Sequence, residues 1–214
     1  MNRSEYIHRT AIVEEGAKVG SSVKIGPFCL VGPNVVLKPG VILKNNVTVV
    51  GDTIVGDETT VFPFATVGEI PQDLKFSGEE TRLVIGKRNQ IREGVTINTG
   101  TSGGGGVTVV GNDCLLMTGS HVAHDAQIGN NVIMANQSAV AGHCVIEDNV
   151  IIGGLSGVHQ FVRIGRGAII GAVTMVTNDV IPFGLVQASR GELEGLNYVG
   201  LKRAGVSRED ILAL

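Results

Sequence analysis

From Val13 onward an aliphatic residue returns every six positions. The run Val13, Val19, Ile25, Val31, Leu37, Leu43, Val49, Val55, Val61 and Val67 resumes at Ile85, Ile91 and Ile97. It starts again at Val110 and continues through Leu116, Val122, Ile128 and Met134 to Val176. No hexad begins with a polar residue. A second pattern sits four positions later, small or β-branched, as at Ala17, Val23, Cys29, Cys114, Ser120, Ala126 and Cys144. An amphipathic helix needs a 3.6-residue period, which this spacing does not supply. Six residues instead make one short strand and a corner, and three such faces close a triangular coil of about 18 residues. The aliphatic residue fills the prism and the small one fits beside a corner. Glycines directly after the aliphatic position, such as Gly20, Gly26 and Gly129, are expected to supply unusual dihedrals where the chain bends. Coils stacked through parallel strands about 4.8 Å apart give a rod on the order of 40 Å long.

The pattern predicts an all-β parallel β-helix over residues 1–182, with loops at 68–84 and 98–109. The first interruption preserves the frame and the second shifts it by one. The second contains Gly103-Gly104-Gly105-Gly106 but lacks the Lys-Ser/Thr of a phosphate-binding loop, so it reads as a flexible connector. Residues 183–214 form a separate C-terminal segment. Ser207 with Asp210 three residues on marks a helix start there.

Composition sharpens this picture. Gly accounts for 31 of 214 residues, aromatics are 4% and Trp is absent, which suits a repetitive, tightly turning β architecture better than a core of large rings. A net charge of -3 gives no reason to expect nucleic acid as a partner. Residues 1–5 carry no apolar secretory region, and no run reaches the roughly 18 apolar residues of a membrane helix. Cys29, Cys114 and Cys144 are scattered and fall at the small inward position. They read as packing residues in a reducing, cytoplasmic compartment rather than as nucleophiles.

The candidate chemistry lies in the histidines. His124, His143 and His159 fall in hexads whose starts, Val122, Val140 and Val158, differ by 18. They therefore stack on one side in successive coils, with His121 just before the first. An imidazole with a pKa near 6.5 can act as a base at neutral pH. A filled prism has no pocket of its own, so ligand sites are expected in grooves between neighbours of a symmetric homotrimer.

The stretch His121-Val122-Ala123-His124-Asp125, with Ala141-Gly142-His143, Val158-His159-Gln160-Phe161 and the loop Gly68-Glu69-Ile70-Pro71-Gln72-Asp73-Leu74-Lys75, resembles the UDP-N-acetylglucosamine O-acyltransferase family of hexapeptide-repeat transferases. The resemblance covers essentially the whole chain. It implies a left-handed helix, against the usual right-handed crossover preference, and transfer of an (R)-3-hydroxyacyl chain from acyl carrier protein to the 3-hydroxyl of UDP-N-acetylglucosamine, opening lipid A synthesis. It implies His124 as general base, Asp125 as its support and the Gly142 N–H as oxyanion donor. Adjacent residues on a regular strand point oppositely, so the His124–Asp125 pairing requires a corner. Asp73, Leu74, Lys75, His121, His143, His159, Gln160, Asn197 and Arg203 would contact substrate, with no metal and no cofactor. The position ending the acyl cavity, commonly Gly in long-chain members, is Ala172 here, which implies a shorter chain. The family's terminal Asn-x-Glu-Gly-Leu-x-Arg-Arg pattern is broken at Val199 and Ala204, and the resemblance implies that residues 183–214 are the start of a truncated helical domain. Arg163, Arg166, Lys202 and Arg203 offer complementary charge for an acidic carrier. Three other readings stand beside this one: a β-helical zinc hydro-lyase using three His, an inactive scaffold, and transfer to a 3-amino sugar acceptor.

Overall fold

The computed structural model describes residues 6–188 and 196–213; the expectations placed on residues 1–5 lie outside them. The chain winds as a left-handed parallel β-helix. Two-residue strands predominate, and they join three parallel sheets of ten, nine and eight strands among the described residues. The first sheet starts at Tyr6–Ile7, the second at Ile12–Val13 and the third at Lys18–Val19. Each regular coil adds one strand to each sheet in turn. Register follows the sequence period: Ile25 pairs with Leu43, Val122 with Val140 and Ile128 with Ile146.

The two inward positions of each hexad build one continuous core. The aliphatic members Ile25, Leu43, Ile97 and Ile152 and the small members Val23, Cys29, Ala126 and Cys144 are all at most 1% exposed. Burial pushes the Cys114 and Cys144 thiols up to about 11, so these cysteines are packing residues. Replacing Ile146, also 1% exposed, by Ala is expected to cost about 2–5 kcal/mol. A shift of the urea midpoint at unchanged slope measures it.

The corners correct the expectation about glycine. Gly20, Gly26 and Gly129 are not in the left-handed region; they are glycine because the next coil runs too close. A Cβ on Gly26 would lie 2.5 Å from the Lys44 carbonyl oxygen. The left-handed residues are mostly not glycine. Asp125, His143 and Phe161 have φ of 60°, 62° and 66° and occupy the same corner, between the second and third sheets, in three successive coils. Each left-handed L-residue costs roughly 1–2 kcal/mol, which the stacked coil on either side must over-determine.

Both interruptions are shorter than expected, because strands Thr66–Glu69 and Arg82–Ile85 flank the first, and Thr96–Asn98 and Val107–Val110 the second. The rod also extends past 182. Strand Leu185–Val186 pairs with Ile169–Ile170 and closes the first sheet. Helices Tyr198–Arg203 and Arg208–Ala213 follow, and the Asp210 N–H donates to Ser207 Oγ as the sequence suggested.

Candidate active site

The corner geometry makes the His124–Asp125 pair. Asp125 sits at φ 60°, so its side chain turns back beside its neighbour instead of pointing to the opposite face. Its backbone N–H donates to Thr108 Oγ1 at 2.8 Å. His124 Nδ1 lies 2.8 Å from Asp125 Oδ2. A carboxylate only accepts, so Nδ1 carries a proton, and in the neutral ring Nε2 holds the lone pair. Both residues are buried.

The other Asp125 contacts come from the segment expected to be a loose connector. Thr101 N–H donates to Oδ1 at 2.9 Å and Thr101 Oγ1 to Oδ2 at 2.6 Å. The short 3-10 turn Ser102–Gly104 lies over the carboxyl so closely that a Cβ on Gly104 would overlap it. This glycine-rich stretch is therefore a cap on Asp125, and its glycine at 104 gives backbone close approach. Burial alone would push the Asp125 carboxyl up. The Thr101 side chain, the Thr101 N–H and the His124 ring outweigh it and hold the carboxyl below its usual range.

Thr101→Val should remove about 1.5–3 kcal/mol, the worth of a hydrogen bond to a charged group. The folded carboxyl titrates below its unfolded value near 3.9. Its stabilisation is thus complete above that unfolded value and lost as pH falls through the lower folded one. The variant's deficit should be full at neutral pH and shrink in strong acid, read by urea denaturation at both. An equal deficit at both would mean that Thr101 does not act through the carboxylate.

His143 Nδ1 is 3.8 Å from the same Asp125 oxygen. Its ring meets His124 edge-on at 5.0 Å and stacks on Phe161 at 4.5 Å. His121 Nδ1 is 2.7 Å from Thr96 Oγ1, and burial lowers its pKa, so it is neutral near pH 7. Gly142 covers the imidazole: a Cβ there would lie 2.5 Å from His124 Cε1 and 2.7 Å from Nε2. The Gly142 carbonyl accepts from Phe161 N–H, while its own N–H has no acceptor among the described residues.

His121, His124 and Gly142 open on a groove of about 400 Å³ along the second sheet, which also takes in His159 and Gln160. Asp73 and Lys75 line a separate, smaller cavity of about 330 Å³ with His143 and Phe161. Leu74 is fully exposed beside them. Asn197 caps helix Tyr198–Arg203 by accepting from Gly200 N–H at 2.9 Å, and Arg203 lies in its last turn; neither lines the histidine groove. Arg163 is ion-paired to Glu147, so part of the charge offered to a carrier is already answered.

Three residues escaped the sequence reading. Thr101 and Gly104 lie in the broken part of the period. Asn98 anchors the 70–81 loop by donating to the Ile70 carbonyl at 3.0 Å, and its Oδ1 is buried without a partner in the groove wall. Such an orphan acceptor costs about 1–3 kcal/mol until something donates to it.

Ligand atoms of His124, Asp125 and His143 lie within 4.8 Å of one another, near enough to share an ion. The donor set fits one poorly, because Asp125 Oδ2 already accepts from His124 and Thr101.

Three family models match the chain. The GMPPB C-terminal domain covers residues 1–102, the bacterial transferase hexapeptide (six repeats) covers 107–142, and UDP N-acetylglucosamine O-acyltransferase domain 2 covers 179–214. An acyl-[acyl-carrier-protein]–UDP-N-acetylglucosamine O-acyltransferase of Paracoccus denitrificans is 69% identical over 72% of this chain and 59% of its own length. One from Anaeromyxobacter is 57% identical over 96% of this chain and 80% of its own. The solved structure of LpxA from Acinetobacter baumannii superposes with a TM-score of 0.85 at 41% identity, covering 96% of this chain and 80% of that one. The chain thus spans 59% of the Paracoccus protein's length and 80% of the Anaeromyxobacter one's.

Proposed function

The chain belongs to the UDP-N-acetylglucosamine O-acyltransferase family, and from that premise we propose that it moves an (R)-3-hydroxyacyl group from acyl carrier protein to the 3-hydroxyl of UDP-N-acetylglucosamine, the first step of lipid A synthesis. The observation that carries the mechanism is the pairing of a lone-pair-bearing His124 Nε2 with the unengaged Gly142 N–H across one groove.

His124 Nε2 takes the proton of the sugar 3-hydroxyl as that oxygen attacks the thioester carbon. The carbonyl becomes a tetrahedral oxyanion that accepts from Gly142 N–H, a donor of a kind typically worth about 2.7–4 kcal/mol. Asp125 balances the positive charge on the imidazolium. Collapse of the intermediate expels the carrier thiolate, which recovers the proton from His124. No metal and no cofactor enters this sequence. His121, His159 and Gln160 in the groove, His143, Asp73 and Lys75 in the smaller cavity and the exposed Leu74 are the proposed contacts to the sugar nucleotide; Asn197 and Arg203 are the proposed nucleotide contacts from the C-terminal segment.

The groove lies on the outer surface of a filled prism, which supports a homotrimer in which a neighbour closes it. A stripe of outward aliphatics on the first sheet, Leu115, Ile133, Ile151, Ile169 and Leu185, runs in register over five successive strands, and suits burial against another copy. No helix among the described residues is long and apolar enough to cross a membrane, and the proposed substrates place the reaction in the cytoplasm. Mass spectrometry of products from carrier-bound 3-hydroxyacyl chains, with chelator present, tests the proposal. The expected product is the 3-O-ester of UDP-N-acetylglucosamine. Transfer only to a 3-amino analogue would change the acceptor, and no transfer to either would leave a scaffold.

A further inference from the structure

The loop that carries Asp73 and Lys75 leaves the second sheet at Glu69 and rejoins the third at Arg82. At its root it is held by the Asn98 bond to the Ile70 carbonyl. Toward its far end the half-buried Glu79 divides its carboxylate between two segments. Oε2 accepts from the N–H of Ser77 at 2.8 Å and from its hydroxyl at 3.3 Å, both within the loop. Oε1 reaches across 23 residues and accepts from the N–H of Ser102 at 3.3 Å and from its hydroxyl at 3.2 Å. Ser102 opens the 3-10 turn, and its neighbour Thr101 holds both oxygens of Asp125. The smaller cavity takes its lining from the two segments together, with Asp73, Lys75 and Glu79 from the loop and Thr101 and Ser102 from the turn. The Ser77 N–H first, then the N–H of Glu79 itself and the two Ser102 donors, pull the Glu79 carboxyl down to about 2. It is therefore ionised at neutral pH and offers acceptors only.

We infer that Glu79 is a positioning residue for the transfer: its carboxylate ties the substrate loop to the turn that caps Asp125, so that loop and cap hold their places together. This rests on the acyl-transfer reading above. A line of bonded groups runs from the loop through Glu79 to Ser102, then along the chain to Thr101, on to Asp125, and from Asp125 to His124 Nδ1. Both Ser102 donors go to Glu79, and Ser102 is exposed. Without the carboxylate this edge of the turn is free to lift, and Thr101 moves with it. Bonds to an ionised acceptor are stronger than neutral ones, yet each is modest at a solvent-facing edge, so the tie adjusts the cap rather than building it. A sugar nucleotide seated in the smaller cavity touches loop and turn at once, and the tie makes ordering one of them order the other.

The test is kcat and KM of the purified full chain, with UDP-N-acetylglucosamine varied against a saturating carrier-bound 3-hydroxyacyl chain. Glu79→Ala should lower kcat about tenfold, short of the roughly 100-fold cost of a full 1 Å displacement, because Thr101 still bonds Asp125. Ser102→Ala keeps the Ser102 N–H and should lose about threefold, the low end for one hydrogen bond. The double variant should be no slower than Glu79→Ala alone, since residues that act through one contact do not add. Glu79→Gln keeps one acceptor oxygen and should fall between wild type and Glu79→Ala. Glu80→Ala removes the same charge one residue on, where the side chain has no partner among the described residues, and should match wild type. A wild-type kcat for Glu79→Ala, whatever its KM, makes the carboxylate a staple of the loop alone and overturns the inference. Additive losses in the double variant, or an equal loss in Glu80→Ala, overturn it as well. In each of these cases the acyl-transfer reading stands. A wild type that transfers nothing overturns the reading and the inference together.

Discussion

His124→Gln is expected to lower kcat for acyl transfer by about 10²–10⁴-fold, the usual contribution of a positioned general base. The loss should fall on kcat, with KM for UDP-N-acetylglucosamine nearly unchanged, because an interaction made only in the transition state leaves ground-state binding intact. Asp125 fixes the proton on Nδ1 across 2.8 Å, which leaves Nε2 as the one atom of the pair able to take a proton from substrate. Glutamine keeps a donor for Asp125 and about the same bulk, so the buried carboxylate is not stranded. A variant with wild-type kcat would remove His124 as the base and return the role to His121 or His143. A variant that aggregates or melts early would be read instead through the milder change of the next experiment.

Gly104→Ala should lower kcat about 100-fold, the cost of displacing a catalytic group by about 1 Å. Gly103→Ala, one residue away, should be close to neutral. The contrast comes from where the added methyl would go. At Gly104 it overlaps the Asp125 carboxyl, whereas at Gly103 nothing lies within 4 Å. Asp125 cannot yield easily, because Thr101 and His124 hold both of its oxygens. The strain must then tilt the imidazole or lift the 3-10 turn. Thermal stability should change little, since the turn buries no residue of its own. Equal kinetics for the two glycine variants would mean that the turn is the loose connector the sequence suggested.

Much of this molecule is legible without coordinates. The six-residue period fixes which side chains fill the prism, because a side chain facing inward in one coil must face inward at the same position of the next. It also places His124, His143 and His159 at one edge, since their hexads begin at Val122, Val140 and Val158, 18 residues apart, and such hexads stack. The need for a bend at His124–Asp125 is readable too, and the left-handed φ of Asp125 meets it. The glycines misled because the sequence does not distinguish a residue lacking Cβ for its own φ from one lacking it for a neighbour's backbone.

The sequence by itself determined the rod, its core and the line of imidazoles, because a periodic pattern carries its long-range contacts within its own spacing. Only the tertiary structure decided what happens where the period breaks. Thr101 reaches Asp125 across 24 residues, a separation that belongs to no register, and Gly104 covers it from an aperiodic turn. The lean of Met175 over Gly157 was hidden for a related reason. Register places two residues one above the other, but only the conformation of the long side chain says that Met175 covers Gly157.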